Sequence, residues 1–377
     1  MKLRISQPNL SFVNINTGEI KKDIWHELDA QIWRYAEPLN HEHSIIHGLI
    51  NREQRRSVFT DYAPLEFGQI WNPNKKIIED TTVNCSRYET GLNAFLNVVE
   101  QYFSSFKNYK IGVQLSGGVD SSLIIGLLRY FKIPYTLVGV TTDRYEFRTE
   151  SHIQHKLGNE APRTILLDYE NILPMTGMEN TPPHQYPNLL SCFYSTNQKI
   201  AETCLNEGID VLFTGEAGDL ILGTEVLYNS CDWKTGGFRK VWLADLVYGH
   251  NNIQLVPFYC DPAIANCLWN MRAGQSADPN KLWARHFFKN FLPVELVEYT
   301  YKADFWGCYL DGFTKALPII RSLHDQAYEI TQNPYFEKKN LENLLSQKSK
   351  LKSCDQQIFE QIEARASMAV WYVKLLE

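Results

Sequence analysis

Between 88 and 107 the hydrophobic positions recur at three- and four-residue steps. Leu92, Phe95, Leu96, Val98, Val99, Tyr102 and Phe103 share one side, which predicts an amphipathic helix. An apolar run follows, Ile111 to Leu115, and predicts a buried strand. Ser116-Gly117-Gly118-Val119-Asp120-Ser121-Ser122 interrupts it, and 123–130 returns to a helical period. Short apolar runs at 135–140, 164–167 and 210–213 predict three more strands, with helical stretches at 148–157 and 193–206 and a proline-rich loop at 181–187. Strands alternating with helices predict an α/β fold with a doubly wound, mainly parallel sheet. Further on the pattern becomes helical, at 262–271, 281–291, 294–301, 307–328, 341–349 and 356–376. These helices are expected to form a C-terminal helical subdomain over the sheet.

The amino-terminal stretch is less regular. Short strands are predicted at 3–5 and 10–15, and a helix at 23–35 with Ile24, Trp25, Leu28, Ile32 and Trp33 on one side. Pro64, Gly68 and Pro73 mark a connecting region. The expected division is a small α+β region, 1–80, and one larger domain, 81–377.

Composition narrows the function classes. The chain has 377 residues, 44% hydrophobic and 21% charged, as in a soluble globular protein. A net charge of −6 argues against nucleic acid as the main partner. No apolar run approaches about 18 residues, so no membrane span is expected, and MKLRISQPNLSF lacks a signal-peptide core. The eight cysteines form no C-x-x-C pair, which argues against a zinc or dithiol site and for a reducing, cytoplasmic setting. His41-Glu42-His43 and His47 lack the second half of H-E-x-x-H and read as solvated or packing histidines.

The chemistry concentrates in the interrupted stretch. Strand, glycine-rich loop and helix is the layout of a phosphate-binding corner. Gly117 and Gly118 let the backbone approach a phosphate, and the helix start offers N–H groups and the positive dipole end. Ser121 and Ser122 can cap that helix or donate hydroxyls. Asp120 repels phosphate unless a cation lies between them, and Mg²⁺ favours such a mix of carboxylate and phosphate oxygens. The run is not a Walker A loop, because no lysine follows the glycines. Six specified residues recur by chance in on the order of one chain in tens of thousands. The fourth predicted strand ends in Thr214-Gly215-Glu216-Ala217-Gly218-Asp219, which places two acids at another strand end. In parallel sheets, ligands sit beyond those carboxyl ends.

SGGVDSS resembles the pyrophosphate loop of the ATP pyrophosphatase (PP-loop) superfamily. Together with VLFTGEAGDLILG (211–223), LVPFYCD (255–261) and the stretch from Leu292-Pro293 to Tyr301-Lys302-Ala303-Asp304-Phe305, it resembles the synthetase domain of the asparagine synthetase family, over about 75–315. The resemblance implies a PP-loop type fold and ATP with Mg²⁺. It also implies a ligase that adenylates a carboxylate, releases pyrophosphate and forms an amide with an amine or ammonia. By the same resemblance Ser116, Gly117, Gly118, Asp120, Ser121, Ser122 and Gly215 bind the nucleotide. Asp120 and Asp219 bind magnesium, Glu216 accepts a proton from the amine, and Lys302 offsets charge on the α-phosphate and the tetrahedral intermediate.

Three departures fall near the substrate: Leu220 replaces an acid, Gly223-Thr224 replaces a glycine pair, and Cys260 precedes the aspartate of the third motif. They weigh against aspartate as the acceptor. Glutamine-hydrolysing members begin with a cysteine after Met and carry a long amidotransferase domain. Here Lys2 follows Met1, so 1–80 is expected to be a truncated or replaced glutaminase region. Relatives without glutaminase activity include β-lactam synthetases and lasso-peptide cyclases, so the expected partner is a small-molecule or peptide carboxylate in specialised biosynthesis. A homodimer or a biosynthetic partner protein is the expected assembly. The alternatives are asparagine synthesis from free ammonia, a nucleotide binder without catalysis, and sulfur transfer to a tRNA base. The last usually goes with paired cysteines or a basic surface, and the chain has neither.

Overall fold

The structure, a computed structural model, describes residues 11–14, 16–21, 62–65, 69–72, 74–75, 77–80, 91–141, 148–169, 172–182, 189–223, 247–249, 251–272, 278, 280–298, 306–347 and 356–374. At the amino end, β1 (Ser11–Asn14) pairs antiparallel with both β2 (Ile20–Lys21) and β3 (Tyr62–Leu65). A separate hairpin joins β4 (Gln69–Asn72) to β5 (Ile77–Asp80). The strand predicted at 10–15 is β1. The predicted connection around Pro64, Gly68 and Pro73 is instead built from β3 and β4. Pro64 is tolerated because β3 is an edge strand, where a missing N–H breaks no ladder. The Asn72 side chain turns the chain after β4 by accepting from the N–H groups of Asn74 (3.1 Å) and Lys75 (3.2 Å). The strand predicted at 3–5, the helix at 23–35 and the histidine cluster lie outside the described residues.

The larger part is α/β. The helix α1 (Leu92–Ser104) leads into β6 (Ile111–Leu115), α2 (Val119–Tyr130), β7 (Thr136–Thr141), α3 (Arg148–Glu160) and β8 (Thr164–Asp168). Then come α4 (Tyr194–Asn206), β9 (Val211–Thr214), β10 (Gln254–Pro257), α5 (Pro262–Arg272), α6 (Leu282–Phe287) and α7 (Val294–Glu298). Five strands pair in the order β10-β9-β6-β7-β8, all parallel. Four were predicted; β10 is a fifth. Its four residues end on Pro257, too short for periodicity to separate strand from helix. The helix after the glycine loop begins at Val119 rather than 123, so Asp120, Ser121 and Ser122 lie within its first turn or just after it.

Alternate residues along the strands point to opposite faces. Leu137, Val211, Phe213 and Val256 join one core with side chains of α1, α2, α3, α5 and α6. Val138, Leu212 and Leu255 join another with Ile200, Ala201 and Cys204 of α4. The sheet is therefore covered on both sides, which is why its strands are mainly apolar rather than alternating. Gln154 of α3 ties two strand ends together, donating to the carbonyls of Leu115 (3.1 Å) and Val140 (2.9 Å).

The carboxyl-terminal helices α8 (Trp306–Thr331), α9 (Lys338–Leu345) and α10 (Gln356–Lys374) bury a core of their own, including Phe336, Ala366, Trp371 and Tyr372. The segment 172–181 meets α8 at Gly312, where an added Cβ would lie 2.1 Å from the Pro174 carbonyl oxygen. No helix among the described residues is long and apolar enough to cross a membrane. The described cysteines, Cys192, Cys204, Cys260, Cys267 and Cys308, are buried and form no disulfide among the described residues.

Candidate functional site

The chain runs outward from β6 to β7 and β8, then returns to lay β9 on the other side of β6. Adjacent strands whose connections leave in opposite directions open a crevice at their carboxyl ends. The loop after β6 is Ser116-Gly117-Gly118. The loop after β9 is Gly215-Glu216-Ala217-Gly218. Both predicted motifs therefore lie at this one crevice.

The first loop is held from within. The hydroxyls of Ser116 and Ser121 lie 2.9 Å apart, and the Gly118 N–H donates to Ser116 Oγ at 3.2 Å. Ser121 Oγ also donates to the Gly118 carbonyl at 3.3 Å. Gly117 has φ +80°, and a Cβ there would lie 2.2 Å from the Glu150 carbonyl oxygen. Its glycine serves the loop's fit against α3. Gly118 differs: among the described residues, a Cβ there would meet only Ser116 Oγ, at 3.4 Å. That leaves open space beside the start of α2, whose cap residue supplies no side-chain hydrogen bond. The first N–H groups of a helix have no partner within it. Ser122 is buried, and its hydroxyl has no hydrogen-bond partner among the described residues.

The second loop closes on Asp120. A Cβ on Gly215 would lie 2.9 Å from Asp120 Cβ, and one on Gly218 would lie 2.3 Å from Asp120 Cγ. Ala217 takes a left-handed conformation (φ 65°), and the Glu216 N–H donates to Thr214 Oγ1 at 2.9 Å. Asp219 then opens a π-helical turn, Asp219–Gly223. From the turn after β10, Tyr259 donates its hydroxyl to the Asp120 carbonyl at 2.9 Å. Asp261, in the third motif, accepts from the N–H groups of Ala263 (2.9 Å) and Ile264 (3.0 Å) and so caps α5. Burial raises its pKa, against those two hydrogen bonds. Glu216 is half-buried and acts electrostatically on Cys260 and on Tyr309 of α8. Burial pushes both of those groups up, followed by Glu216 and Asp261 for Cys260 and by Glu363, ahead of Glu216, for Tyr309.

Asp120 and Asp219 are brought together by a residue the sequence reading missed. Lys281 Nζ lies 2.7 and 2.6 Å from the two Asp120 carboxylate oxygens and 2.6 Å from Asp219 Oδ1. Its side chain is 7% exposed, against 19% and 50% for the two acids. Burial pulls the ammonium toward neutrality, but the two carboxylates outweigh it and raise its pKa. Arg285 is also buried, donating to the carbonyls of Asn280 (2.6 Å) and Leu296. Burial lowers its pKa, while Glu150, Asp120 and Asp278 oppose that change. Both basic residues sit in a stretch read only as a helix. A lysine at a solvated position and one aimed at two acids look alike in sequence. The sole local signal is Asp278 and Asn280 just before it, a turn pair. Lys302 lies outside the described residues.

A scan against protein-family models finds no match, and a search of curated proteins finds no significant match.

Proposed function

We propose that this chain is an ATP-dependent ligase of PP-loop type. On this reading it activates a carboxylate at the α-phosphate of ATP, releases pyrophosphate, and joins the acyl group to an amine or ammonia with loss of AMP. The observation that carries the reading is the meeting of SGGVDSS and Gly215–Asp219 at the switch point of the parallel sheet, with Asp120 clasped between the loops. ATP enters as a substrate. The open side of Gly118 and the uncapped start of α2 suit the pyrophosphate portion. Ser116 and Ser121 fix the loop's shape. Glu216 is the proposed proton acceptor for the amine. Lys302 is the proposed charge that strengthens as the carbonyl is attacked. The departures at Leu220, Thr224 and Cys260 favour an acceptor other than aspartate, in specialised biosynthesis.

Magnesium fits less simply. Asp120 and Asp219 do face one point, but the Lys281 ammonium lies there. A cation between the two carboxylates would have to displace that ammonium. The same contact favours a second reading, a nucleotide binder without turnover, because both acids already have a counter-charge.

One assay separates the two. The protein is incubated with α-labelled ATP and a panel of carboxylic acids and amines. AMP and pyrophosphate should form with a matching pair, and Lys302→Ala should slow this by about a hundredfold or more while leaving binding of a nonhydrolysable ATP analogue intact. Formation of ADP instead would overturn the ligase reading. Analogue binding with no AMP from any pair would leave the binder.

A further inference from the structure

The Asp120–Lys281–Asp219 contact is a built feature. The Asp278 carboxylate accepts from the N–H groups of Asn280 (2.9 Å) and Leu282 (2.8 Å), and the Lys281 N–H donates to the Asp278 carbonyl at 2.9 Å. This tight turn sets Lys281 in a left-handed conformation, φ 57°, at the entry to α6. The turn is tied to the acid-bearing one. The Asp278 N–H donates to the Gly223 carbonyl at 2.9 Å, and Trp283 Nε1 donates to the Leu222 carbonyl at 2.7 Å. The lysine stem crosses Gly223, where an added Cβ would lie 3.3 Å from Lys281 Cγ and 3.5 Å from Cε. Strained backbone, buried stem and two anchoring hydrogen bonds all deliver one ammonium to one place.

An ammonium has three N–H groups, and Nζ has three carboxylate oxygens within 2.7 Å. A divalent cation bridging the same carboxylates needs their oxygens at about 2.0–2.1 Å if it is Mg²⁺. Cation and ammonium cannot share that point. We infer that Lys281 is the resident counter-ion of this site: it takes the bridging position between Asp120 and Asp219 and lets the Ser116–Ser122 loop accept a phosphate chain without a metal held by those two acids. The inference about phosphate rests on the nucleotide reading; the competition between lysine and metal does not.

The first measurement therefore uses no nucleotide. Mn²⁺ is titrated into wild type, Lys281→Gln and Lys281→Gln/Asp219→Asn, with bound metal read by electron paramagnetic resonance and folding checked by circular dichroism. Wild type should bind no Mn²⁺ that Asp219→Asn removes. Lys281→Gln should gain a site, at least about tenfold tighter than any in wild type, and the double variant should lose it; tenfold is a change well above titration error. If Lys281→Gln does not fold, wild type and Asp219→Asn still decide: an Asp219-dependent Mn²⁺ site in wild type overturns the inference.

The second measurement is calorimetry with a nonhydrolysable ATP analogue. Wild-type affinity in excess EDTA should stay within about threefold of that in Mg²⁺, less than 1 kcal/mol, whereas Lys281→Gln should fall at least about tenfold on metal removal. A metal requirement in wild type equal to that of Lys281→Gln overturns the inference. The expected Mn²⁺ pattern with no analogue binding under either condition supports the counter-ion and removes the nucleotide reading.

Discussion

The two loop glycines look equivalent in the sequence and are not equivalent in the fold. Gly117 is required by its positive φ and by the Glu150 carbonyl oxygen 2.2 Å from where a Cβ would stand. Gly118 has an ordinary conformation (φ −79°, ψ 171°) and, among the described residues, only a hydroxyl 3.4 Å from where a Cβ would stand. Gly117→Ala should therefore destabilise the protein by about 1–3 kcal/mol, through strain and overpacking. Gly118→Ala should leave the urea midpoint nearly unchanged yet weaken ATP-analogue binding at least about tenfold, because its methyl group fills the approach to the α2 N–H groups. Urea unfolding and calorimetry on both variants test the contrast. If Gly118→Ala binds the analogue like wild type, the phosphate does not approach from that side.

At the scale of elements, the carboxyl-terminal helices contain a titratable group with no evident partner. His324 of α8 is fully buried, and neither ring nitrogen finds a hydrogen-bond partner among the described residues. Its ring stands edge-on to Phe336, centroids 5.4 Å apart. Burial first, then the Arg365 charge, lowers its pKa to about 4, with Asp325 acting the other way. The folded value is thus depressed below the ordinary 6.5, and the unfolded chain binds the proton more readily. The contribution is intact above pH 6.5 and is lost as pH falls toward 4, by roughly 3 kcal/mol in all. Denaturant midpoints for wild type and His324→Leu should diverge as pH falls from 7 to about 4.5, with the variant the flatter of the two. Parallel pH profiles would show that this histidine is not buried neutral.

At the scale of the molecule, the sheet and the carboxyl-terminal helices have separate cores, and α8 also touches the segment 172–181. Gly312 allows that approach, since a Cβ would lie 2.1 Å from the Pro174 carbonyl oxygen. Gly312→Ala should displace α8 from the 172–181 segment, at a cost of about 1–3 kcal/mol. It should lower the melting temperature by several degrees while leaving each core's secondary structure in place. A thermal melt followed by far-ultraviolet circular dichroism checks it, and an unchanged midpoint would mean that the helix accommodates the methyl group.

Several features were legible in the sequence because they follow from local pattern. The strand Ile111–Leu115 was bounded from its apolar run alone, and β7, β8 and β9 fell within a residue of their predicted limits at each end. Runs of that kind arise when a strand is covered on both faces, and a glycine pair between strand and helix is hard to mistake. Asp120, Gly215, Glu216 and Asp219 were placed near one another by the rule that parallel strands gather their ends. What the pattern left out needed three dimensions. The strand β10 is four residues ending in proline, and only its pairing with β9 makes it a strand. Pro64 reads as a break until β3 is seen at a sheet edge. Lys281 and Arg285 fell in a stretch read only as a helix, because charge type carries no information about direction. A left-handed turn and the hydrogen bonds from Asp278 to Gly223 and from Trp283 to Leu222 aim Lys281 between two carboxylates that lie 62 and 161 positions away in the chain, and that convergence exists only once the sheet has brought the loops together.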